Sequence, residues 1–361
     1  MNARFTRRTL VLAAALAASG FGSLAQAQSA ADIAKAKAEG TVVVYSTTDQ
    51  KQISPLLKDF EALYPGLKVE YHDMNSTEVY NRFISESAVG PSADVVWSSA
   101  MDQAVKLVND GYAQPYKLSD SSKLPDWAIW KNEAFGTTYE PIGFVYNKRL
   151  VDAAEVPKTH ADFARLLVGK ADKFKGKVVT YDPEKSGIGF MLHSQDALAN
   201  SAGFWALARA MGQTGLRVQS STGTMLERIA SGENLIGYNM LGSYGLVRAA
   251  KDPSIGVAFP QDYTLVISRV TFIAKQARHP AAARLWVEYL LSQRGQSLIA
   301  SQADLFAIRS DVTGDTTISG LQATLGKSLK PIPIAPALLT YLDQSKRLEF
   351  LKQWNSVKAP K

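Results

Sequence analysis

Short runs of β-branched apolar residues alternate with segments of helical periodicity along this chain. Thr41–Ser46 (TVVVYS) is an apolar run of the kind that is buried on both faces of a parallel sheet. Similar runs follow at 67–71 and 93–97, and a capping-box spacing from Asn75 to Glu78 opens the helix between them. This β-α-β-α-β order predicts an α/β fold with a parallel, doubly wound sheet.

A second set of β-rich segments lies further along the chain, at 143–147, 177–181 and 235–238. Two extended segments, near 136–147 and 259–275, join the two sets. If both segments cross between sheets, the chain forms two α/β lobes with a two-segment hinge and a ligand cleft between them. One large single-sheet domain is the alternative.

The crossings set the predicted lobe boundaries. The first lobe is discontinuous and comprises 28–137 with 266–361, and the second lobe comprises 138–265. A long helix is predicted to start at 196 and end at 211, and a continuous β-rich stretch is predicted over 263–274.

Composition places the chain among ordinary globular proteins. It has 361 residues, of which 46% are hydrophobic and 20% are charged, so it carries too much apolar side chain for a disordered protein. It has no cysteine. Disulfides, thiolate zinc sites, iron–sulfur clusters and cysteine nucleophiles are therefore excluded.

The first 27 residues are typical of a secretory signal peptide. Arg4, Arg7 and Arg8 precede a short apolar run, and Ala25-Gln26-Ala27 has the small-x-small pattern of a cleavage site. The apolar run is shorter than the roughly 20 residues that span a bilayer. We expect export to the periplasm and cleavage near Ala27.

The charge balance gives no indication of a nucleic-acid partner. The formal net charge of the whole chain is +7, and it falls to +4 without the three arginines of the leader. The remaining Lys and Arg residues are scattered, whereas nucleic-acid binding needs a basic stripe on one face. A small anionic ligand is compatible with this charge.

Short polar side chains follow several of the predicted strands. In open parallel sheets, ligands bind beyond the carboxyl ends of the strands, where helices begin. Hydroxyls and free amides at helix N-termini suit an anion, although the same residue types are also favoured as simple helix caps. The candidate ligand-binding residues of this kind are Ser46, Thr47, Thr48, Ser98, Ser99, Asp182, Ser186, Gly187, Asn239 and Ser243.

Four further residues could complete the site. Tyr139 and Tyr238 lie at predicted strand ends and could wall a pocket with their rings, although core packing is the alternative. His193 and Asp196 precede or begin the predicted long helix and could grip hydroxyls or a phosphate. A helix-capping Asp beside a packed His is the alternative there.

Enzyme signatures are missing from the sequence. Gly187-Ile188-Gly189 lacks the third glycine and the β-α context of a dinucleotide loop, and Gly242-Ser243-Tyr244-Gly245 lacks the spacing of a nucleophile elbow. The four histidines are far apart and show no metal-ligand spacing. We therefore expect no catalytic residue, no bound metal and no cofactor.

The chain resembles a known family in its leader and in four ordered segments. It is similar to the periplasmic solute-binding proteins of ABC importers, in the branch that contains ferric-iron and hexose-phosphate binders. This resemblance implies two α/β lobes of the type II-like kind, hinge closure over a ligand, and delivery to a membrane permease with its cytoplasmic ATPase. The four segments are Thr41–Thr48 (TVVVYSTT), Phe60–Val69 (FEALYPGLKV), Ala93–Ser99 (ADVVWSS) and Phe144–Leu150 (FVYNKRL).

The family pattern for iron is only partly present. The iron-binding branch uses a Tyr-Tyr pair, a Glu after the third strand and a His after the first, whereas this chain has Tyr238 alone and serines or threonines at the strand ends. Fe³⁺ prefers anionic oxygen ligands. We expect a monomer that binds a small anionic organic solute, such as a phosphorylated sugar or glycerol derivative. A ferric-ion carrier and a periplasmic hydrolase or transferase are the alternatives.

Overall fold

The computed structural model describes residues 30–358, which form two β-sheets with helices packed on both. The predicted α/β fold with two lobes is confirmed. The predicted signal peptide, residues 1–27, lies outside the described residues. Within 30–358, no helix has both the length and the apolar composition needed to cross a membrane.

Thirteen strands are present in the described residues. They are β1 (Thr41–Ser46), β2 (Lys68–Asp73), β3 (Val95–Ser98), β4 (Ile129–Trp130), β5 (Ala134–Gly136), β6 (Glu140–Asn147), β7 (Val178–Tyr181), β8 (Arg217–Gln219), β9 (Ile236–Leu241), β10 (Ile255–Ala258), β11 (Thr264–Ile267), β12 (Val270–Ile273) and β13 (Leu329–Pro331).

Fourteen α-helices accompany them in the same part of the chain. They are α1 (Ala30–Glu39), α2 (Gln50–Leu63), α3 (Ser76–Ser87), α4 (Met101–Asn109), α5 (His160–Gly169), α6 (Ala171–Phe174), α7 (Gly187–Ala199), α8 (Ser201–Gln213), α9 (Thr222–Ala230), α10 (Gly242–Lys251), α11 (Pro280–Leu291), α12 (Gln293–Ser301), α13 (Ile318–Leu325) and α14 (Gln344–Lys358).

The first sheet has the strand order β2-β1-β3-β12-β5-β4. Its strands β1, β2 and β3 are parallel, as the sequence predicts, whereas β12 runs antiparallel to β3. The sheet is therefore mixed. Its core contains Phe60, Trp97 and Trp286, all fully buried, and the capping box at Asn75 and Glu78 opens α3 as predicted.

The second sheet has the order β13-β11-β6-β9-β7-β8, and β10 pairs with β6. It is mixed as well, because β6 runs antiparallel to its neighbours while β7 is parallel to β8 and β9. Its separate core contains Phe144, Phe163, Phe204 and Trp354.

Between β5 and β12 the chain passes between the two sheets at two neighbouring points, and it passes to the second sheet once more before β13. It leaves β5 of the first sheet and enters β6 of the second across residues 137–139. It returns from β11 to β12 across residues 268–269. Both crossings lie inside the two extended segments identified from the sequence.

Two sequence-predicted elements are each divided in the structure. The helix predicted over 196–211 is two helices, α7 and α8, because Asn200 leaves the helical conformation and caps α8 by accepting a hydrogen bond from the Gly203 amide at 3.0 Å. The β stretch predicted over 263–274 is broken at 268–269, where the chain changes sheets.

The C-terminal segment packs differently from the predicted lobe division. The prediction assigns 266–361 to the first lobe, whereas β13 joins the second sheet and α14 packs on α8. Trp354 of α14 is 1% exposed and stacks on His193 with 4.5 Å between ring centroids. An isolated helix gains no stability from an exposed tryptophan, whereas burial of the Trp354 ring in the second core is favourable. This burial explains why α14 packs on the second lobe. The exact lobe boundaries stay a prediction.

Removing the Trp354 ring tests the docking of α14. Trp354→Ala leaves a large cavity in the second core, and we expect it to lower the free energy of unfolding by about 3–5 kcal/mol in urea titrations. Leu348→Ala is the matched control, since Leu348 lies on the same helix and is 60% exposed. Equal effects of the two substitutions would contradict this packing.

Candidate functional site

A cavity of about 400 Å³ lies between the two lobes. This volume is within the range of small-molecule sites in proteins. Both sheets contribute to its walls through the loops that follow their strands. It is lined by Thr47, Asp49, Asp73, Met74, Asn75, Ser76, Glu78, Ser99, Tyr181, Ile188, Ser220, Ser221, Thr222, Gly223, Leu241 and Tyr244.

Two hydroxyls after β1 and β3 form one part of the first-lobe wall. Thr47 Oγ1 accepts a hydrogen bond from the Ser99 amide at 2.8 Å and donates to Ser99 Oγ at 3.0 Å. This arrangement leaves the Ser99 hydroxyl proton able to point into the cavity. Thr47 and Ser99 are the two sequence-predicted residues that line it.

Three carboxylates, those of Asp49, Asp73 and Glu78, also line the cavity from the first lobe. Asp73 accepts from the Gln50 amide at the start of α2, and Glu78 accepts from the Asn75 amide at the start of α3. Asp49 precedes α2 and makes no capping hydrogen bond with its side chain. Among the described lining residues there is no Lys, Arg or His. The cavity therefore presents several strong hydrogen-bond acceptors.

The beginning of α9 forms part of the second-lobe wall. Ser221 caps this helix by accepting from the Thr224 amide, and Thr222 Oγ1 is hydrogen bonded to the Tyr181 hydroxyl. The amides of Thr222 and Gly223 make no hydrogen bond to any of the described residues. A Cβ at Gly223 would meet no atom within 4 Å. Free amides and open space thus adjoin each other at a helix N-terminus.

Tyr244 lines both this cavity and a second one. The second cavity has a volume of about 560 Å³ and shares Asp49, Gly223 and Tyr244 with the first. Burial raises the pKa of the Tyr244 phenol to about 12, so this hydroxyl keeps its proton at neutral pH. Its oxygen lies 3.5 Å from the Asp49 amide of the first lobe.

The N-termini of α3 and α7 meet across the cleft. The amides of Gly187 and Ile188 donate to the hydroxyls of Thr77 and Ser76, at 3.2 and 3.0 Å. Gln103 of α4 also lies so close to Gly187 that a Cβ there would approach its side chain to 2.5 Å. These direct contacts between the lobes describe a closed arrangement.

Three predicted residues have hydroxyls that are used inside the first lobe. Ser46 Oγ accepts from the Thr48 amide at 3.1 Å, and Ser98 Oγ accepts from the Ala100 amide at 3.2 Å. Thr48 Oγ1 accepts from the Arg269 guanidinium at 2.9 Å. All three side chains are buried and shape the loops behind the cavity.

Four other predicted residues come together, but in the interior of the second lobe. Asp196 accepts hydrogen bonds from Tyr238, from Asn239 and from Tyr263, and Asn239 also lies 3.3 Å from His193. Burial lowers the pKa of His193 to about 4, so its imidazole is neutral at physiological pH, and burial raises the pKa of Asp196. This cluster does not line the cavity.

The remaining predicted residues have structural partners. Asp182 accepts from the Glu184 amide and Ser186 caps α7, so both shape the loop that carries Gly187 to the other lobe. Tyr139 lies in the first crossing and packs near Trp127 with ring centroids 5.9 Å apart. Ser243 donates to Glu140 at the start of β6.

Much of the cavity was not predicted from the sequence. Asp73 is the last residue of β2 and Asn75 follows that strand. Ser220 to Gly223 follow β8, a strand of three residues that is not among the predicted strands. The run Ser220-Ser221-Thr222-Gly223 carries the signal of a helix cap, and the rule of strand ends would have selected it if β8 had been recognised.

The fold and the cleft agree with a known family. Residues 55–319 match the family model of the bacterial extracellular solute-binding protein. The chain belongs to this family. It is accordingly the substrate-binding protein of an ABC transporter and not an enzyme, and its partners are a solute and a membrane permease.

Three solved structures illustrate the likeness of this solute-binding protein. The substrate-binding protein of an ABC transporter from Agrobacterium tumefaciens is 38% identical, with a TM-score of 0.84 over 88% of this chain and 94% of that chain. AfuA from Actinobacillus pleuropneumoniae, with exogenous fructose-6-phosphate bound, is 18% identical, with a TM-score of 0.72 over 88% and 98%. Iron-bound HitA from Pseudomonas aeruginosa is 17% identical, with a TM-score of 0.70 over 88% and 99%. The last two show the shared fold.

A buried carboxylate beside the closed cleft makes stability depend on pH. Asp102 of α4 is 3% exposed, and burial raises its pKa to about 7 while Arg347 of α14 opposes this rise. An unfolded Asp titrates near pH 4, so the folded protein loses stability as the pH rises from about 4 to about 7.

Asp102→Asn has no charge to bury, and we expect it to be more stable than the parent above pH 7 by roughly 1–3 kcal/mol. The difference should shrink towards pH 4. Urea titrations at several pH values measure it, with Asp110→Asn as the control because Asp110 is exposed beside the end of α4. Parallel pH profiles for Asp102→Asn and the parent would contradict the buried carboxylate.

Proposed function

We propose that this solute-binding protein captures a small organic solute that carries one anionic group and several hydroxyls, such as a phosphorylated sugar or glycerol derivative. Hinge closure encloses the solute, and the closed form delivers it to the permease and its cytoplasmic ATPase. The observation that carries the proposal is the pairing of free amides at the start of α9 with hydroxyl-rich and carboxylate-rich walls around one cavity.

The anionic group is proposed to bind at the start of α9. There the amides of Thr222 and Gly223 are free, and the N-terminal end of the helix dipole is positive. The Ser220 and Ser221 side chains lie next to these amides in the cavity wall. The Ser99 hydroxyl faces the same cavity from the other lobe. This placement differs from the expectation that Ser46 and Ser98 contact the anion, because their hydroxyls already hold backbone amides.

The hydroxyls of the solute are proposed to face the first-lobe carboxylates. Asp49 makes no capping bond, and Asp73 and Glu78 each hold one backbone amide and so retain acceptor capacity. Hydrogen bonds to charged acceptors are stronger than neutral ones and depend on direction. Carboxylates therefore favour a polyhydroxylated solute over a bare inorganic anion, which they would repel.

The two alternatives find less support in the cavity. Among the described residues, no group of three or more His, Cys, Asp and Glu side chains could hold a metal ion, so a ferric ion finds no such cluster of carboxylates and imidazoles. Tyr238, the tyrosine that resembles part of an iron site, donates to buried Asp196. Hydrolysis or transfer does not belong to a family of solute carriers.

Two further parts of the proposal concern the cell. The family is extracellular by its description, and we propose that this member works in the periplasm after cleavage near Ala27. We also propose that it acts as a monomer, as the enclosed cleft between its own two lobes needs no second copy to complete it.

A charge placed at Gly223 tests where the anion binds. Gly223→Asp adds a carboxylate in open space, and a carboxylate at a helix N-terminus stabilises the helix. We expect affinity for fructose 6-phosphate or glycerol 3-phosphate, whichever shifts the tryptophan fluorescence of the parent, to fall at least tenfold, or about 1.4 kcal/mol. Gly223→Asn is the matched neutral control and should lose less.

The same titrations test the function itself. The solute should be recovered unchanged by mass spectrometry after release, since the protein is a carrier. Equal affinities of Gly223→Asp and Gly223→Asn would contradict the anion site. If neither phosphate ester shifts the tryptophan fluorescence and ferric citrate gives a visible charge-transfer band, the iron alternative is favoured.

A further inference from the structure

Two charged side chains at the crossings are completely buried. Arg269 lies in the second crossing, Glu140 follows the first, and both side chains are 0% exposed. Arg269 Nε donates to Glu140 Oε1 at 2.7 Å, and Arg269 Nη2 donates to Glu140 Oε2 at 3.2 Å. Burying a charge costs free energy unless the charge is paired in this way. Each of these two buried side chains at the hinge therefore depends on the other.

The ion pair also joins the two crossings through their backbones. The Arg269 amide donates to Thr138 Oγ1 at 2.9 Å, and that hydroxyl donates to Glu140 at 2.8 Å. The Thr137 amide in turn donates to the Arg269 carbonyl at 2.9 Å. The two hinge strands are therefore linked to each other by a buried polar network.

The ion pair also contacts residues at or next to the cavity wall in each lobe. On the first-lobe side, Arg269 Nη1 lies 2.9 Å from Thr48 Oγ1 and 3.4 Å from the Thr47 carbonyl oxygen, and these two residues precede Asp49 of the cavity wall. On the second-lobe side, Ser243 donates to Glu140, and the Arg269 guanidinium lies 5.6 Å from the centre of the Tyr244 ring.

We propose that Arg269 and Glu140 are positioning residues that couple hinge angle to cavity shape. Rotation of the lobes moves the loop at Thr47–Thr48 relative to Tyr244, and it must therefore change the contacts of the guanidinium that lies between them. Tyr244 lines both cavities, so its position also affects how large a solute fits. The proposal depends on closure about the hinge, but not on which solute is bound.

The test measures the distance between the lobes without any ligand. The natural chain has no cysteine, so Val89→Cys and Val168→Cys place one spin label on each lobe, at side chains that are 90% and 67% exposed. In this background, Arg269→Met and Glu140→Gln break the pair, and Arg269→Lys keeps the charge. Pulsed electron–electron double resonance gives the distribution of distances between the two spin labels.

The matched control is a second buried arginine. Arg309 is 4% exposed and pairs with Asp120 and Asp311 within the first lobe, away from the cavity. Arg309→Met should lower stability and leave the distance distribution unchanged. Arg269→Met and Glu140→Gln should raise the fraction of distances outside the parent distribution at least about threefold, with Arg269→Lys intermediate.

Three results would overturn the proposal. The first is that the Arg269 and Glu140 variants lose stability, as Arg309→Met does, with no change in distances. The second is that Arg269→Met and Glu140→Gln both fail to fold while Arg269→Lys matches the parent distribution, which would make the pair purely structural. The third is an equal broadening by Arg309→Met. Failure of the parent to close on any solute would instead contradict the proposed function, since that experiment leaves Arg269 intact.

Discussion

Between β5 and β12 the chain crosses between its two sheets at two adjacent points, and the arrangement of the cleft depends on those crossings. The two crossing segments, 137–139 and 268–269, are short and lie side by side. The buried ion pair of Arg269 and Glu140 links them. Because both crossings bring the chain out at the same edge, the loops that follow β1 and β3 in the first lobe and β8 in the second face each other across one cavity. The hinge and the site are consequently parts of one structure.

The two lobes contribute different kinds of polar group to the cavity. The first lobe contributes hydroxyls and three carboxylates, and the second contributes a helix N-terminus with two free amides. Neither wall alone encloses a solute. Direct contacts between the beginnings of α3 and α7 complete the enclosure, since amides of one lobe donate to hydroxyls of the other. A carrier needs this property, because the closed form is what distinguishes a loaded protein from an empty one.

Much of the fold could be predicted from the sequence, and less of the site. Apolar runs such as Thr41–Ser46 are local signals, and the double crossing follows from the order of strands. Side chains such as His193, Asp196 and Tyr238 have the right chemistry for a ligand, but the sequence does not show whether a polar group faces a cavity or a buried partner. The tail from β13 to α14 and the short strand β8 depend on long-range packing, which local patterns do not encode.

The central claim is that the two lobes close over a solute that leaves chemically unchanged. The most direct measurement is the distance between labels at Val89→Cys and Val168→Cys, before and after adding back the small molecule extracted from gently purified protein. We predict a broad or long distribution without the solute and one short, narrow distance with it, together with intact recovery of the solute. An identical distribution in both states, or recovery of an altered molecule, would contradict the account.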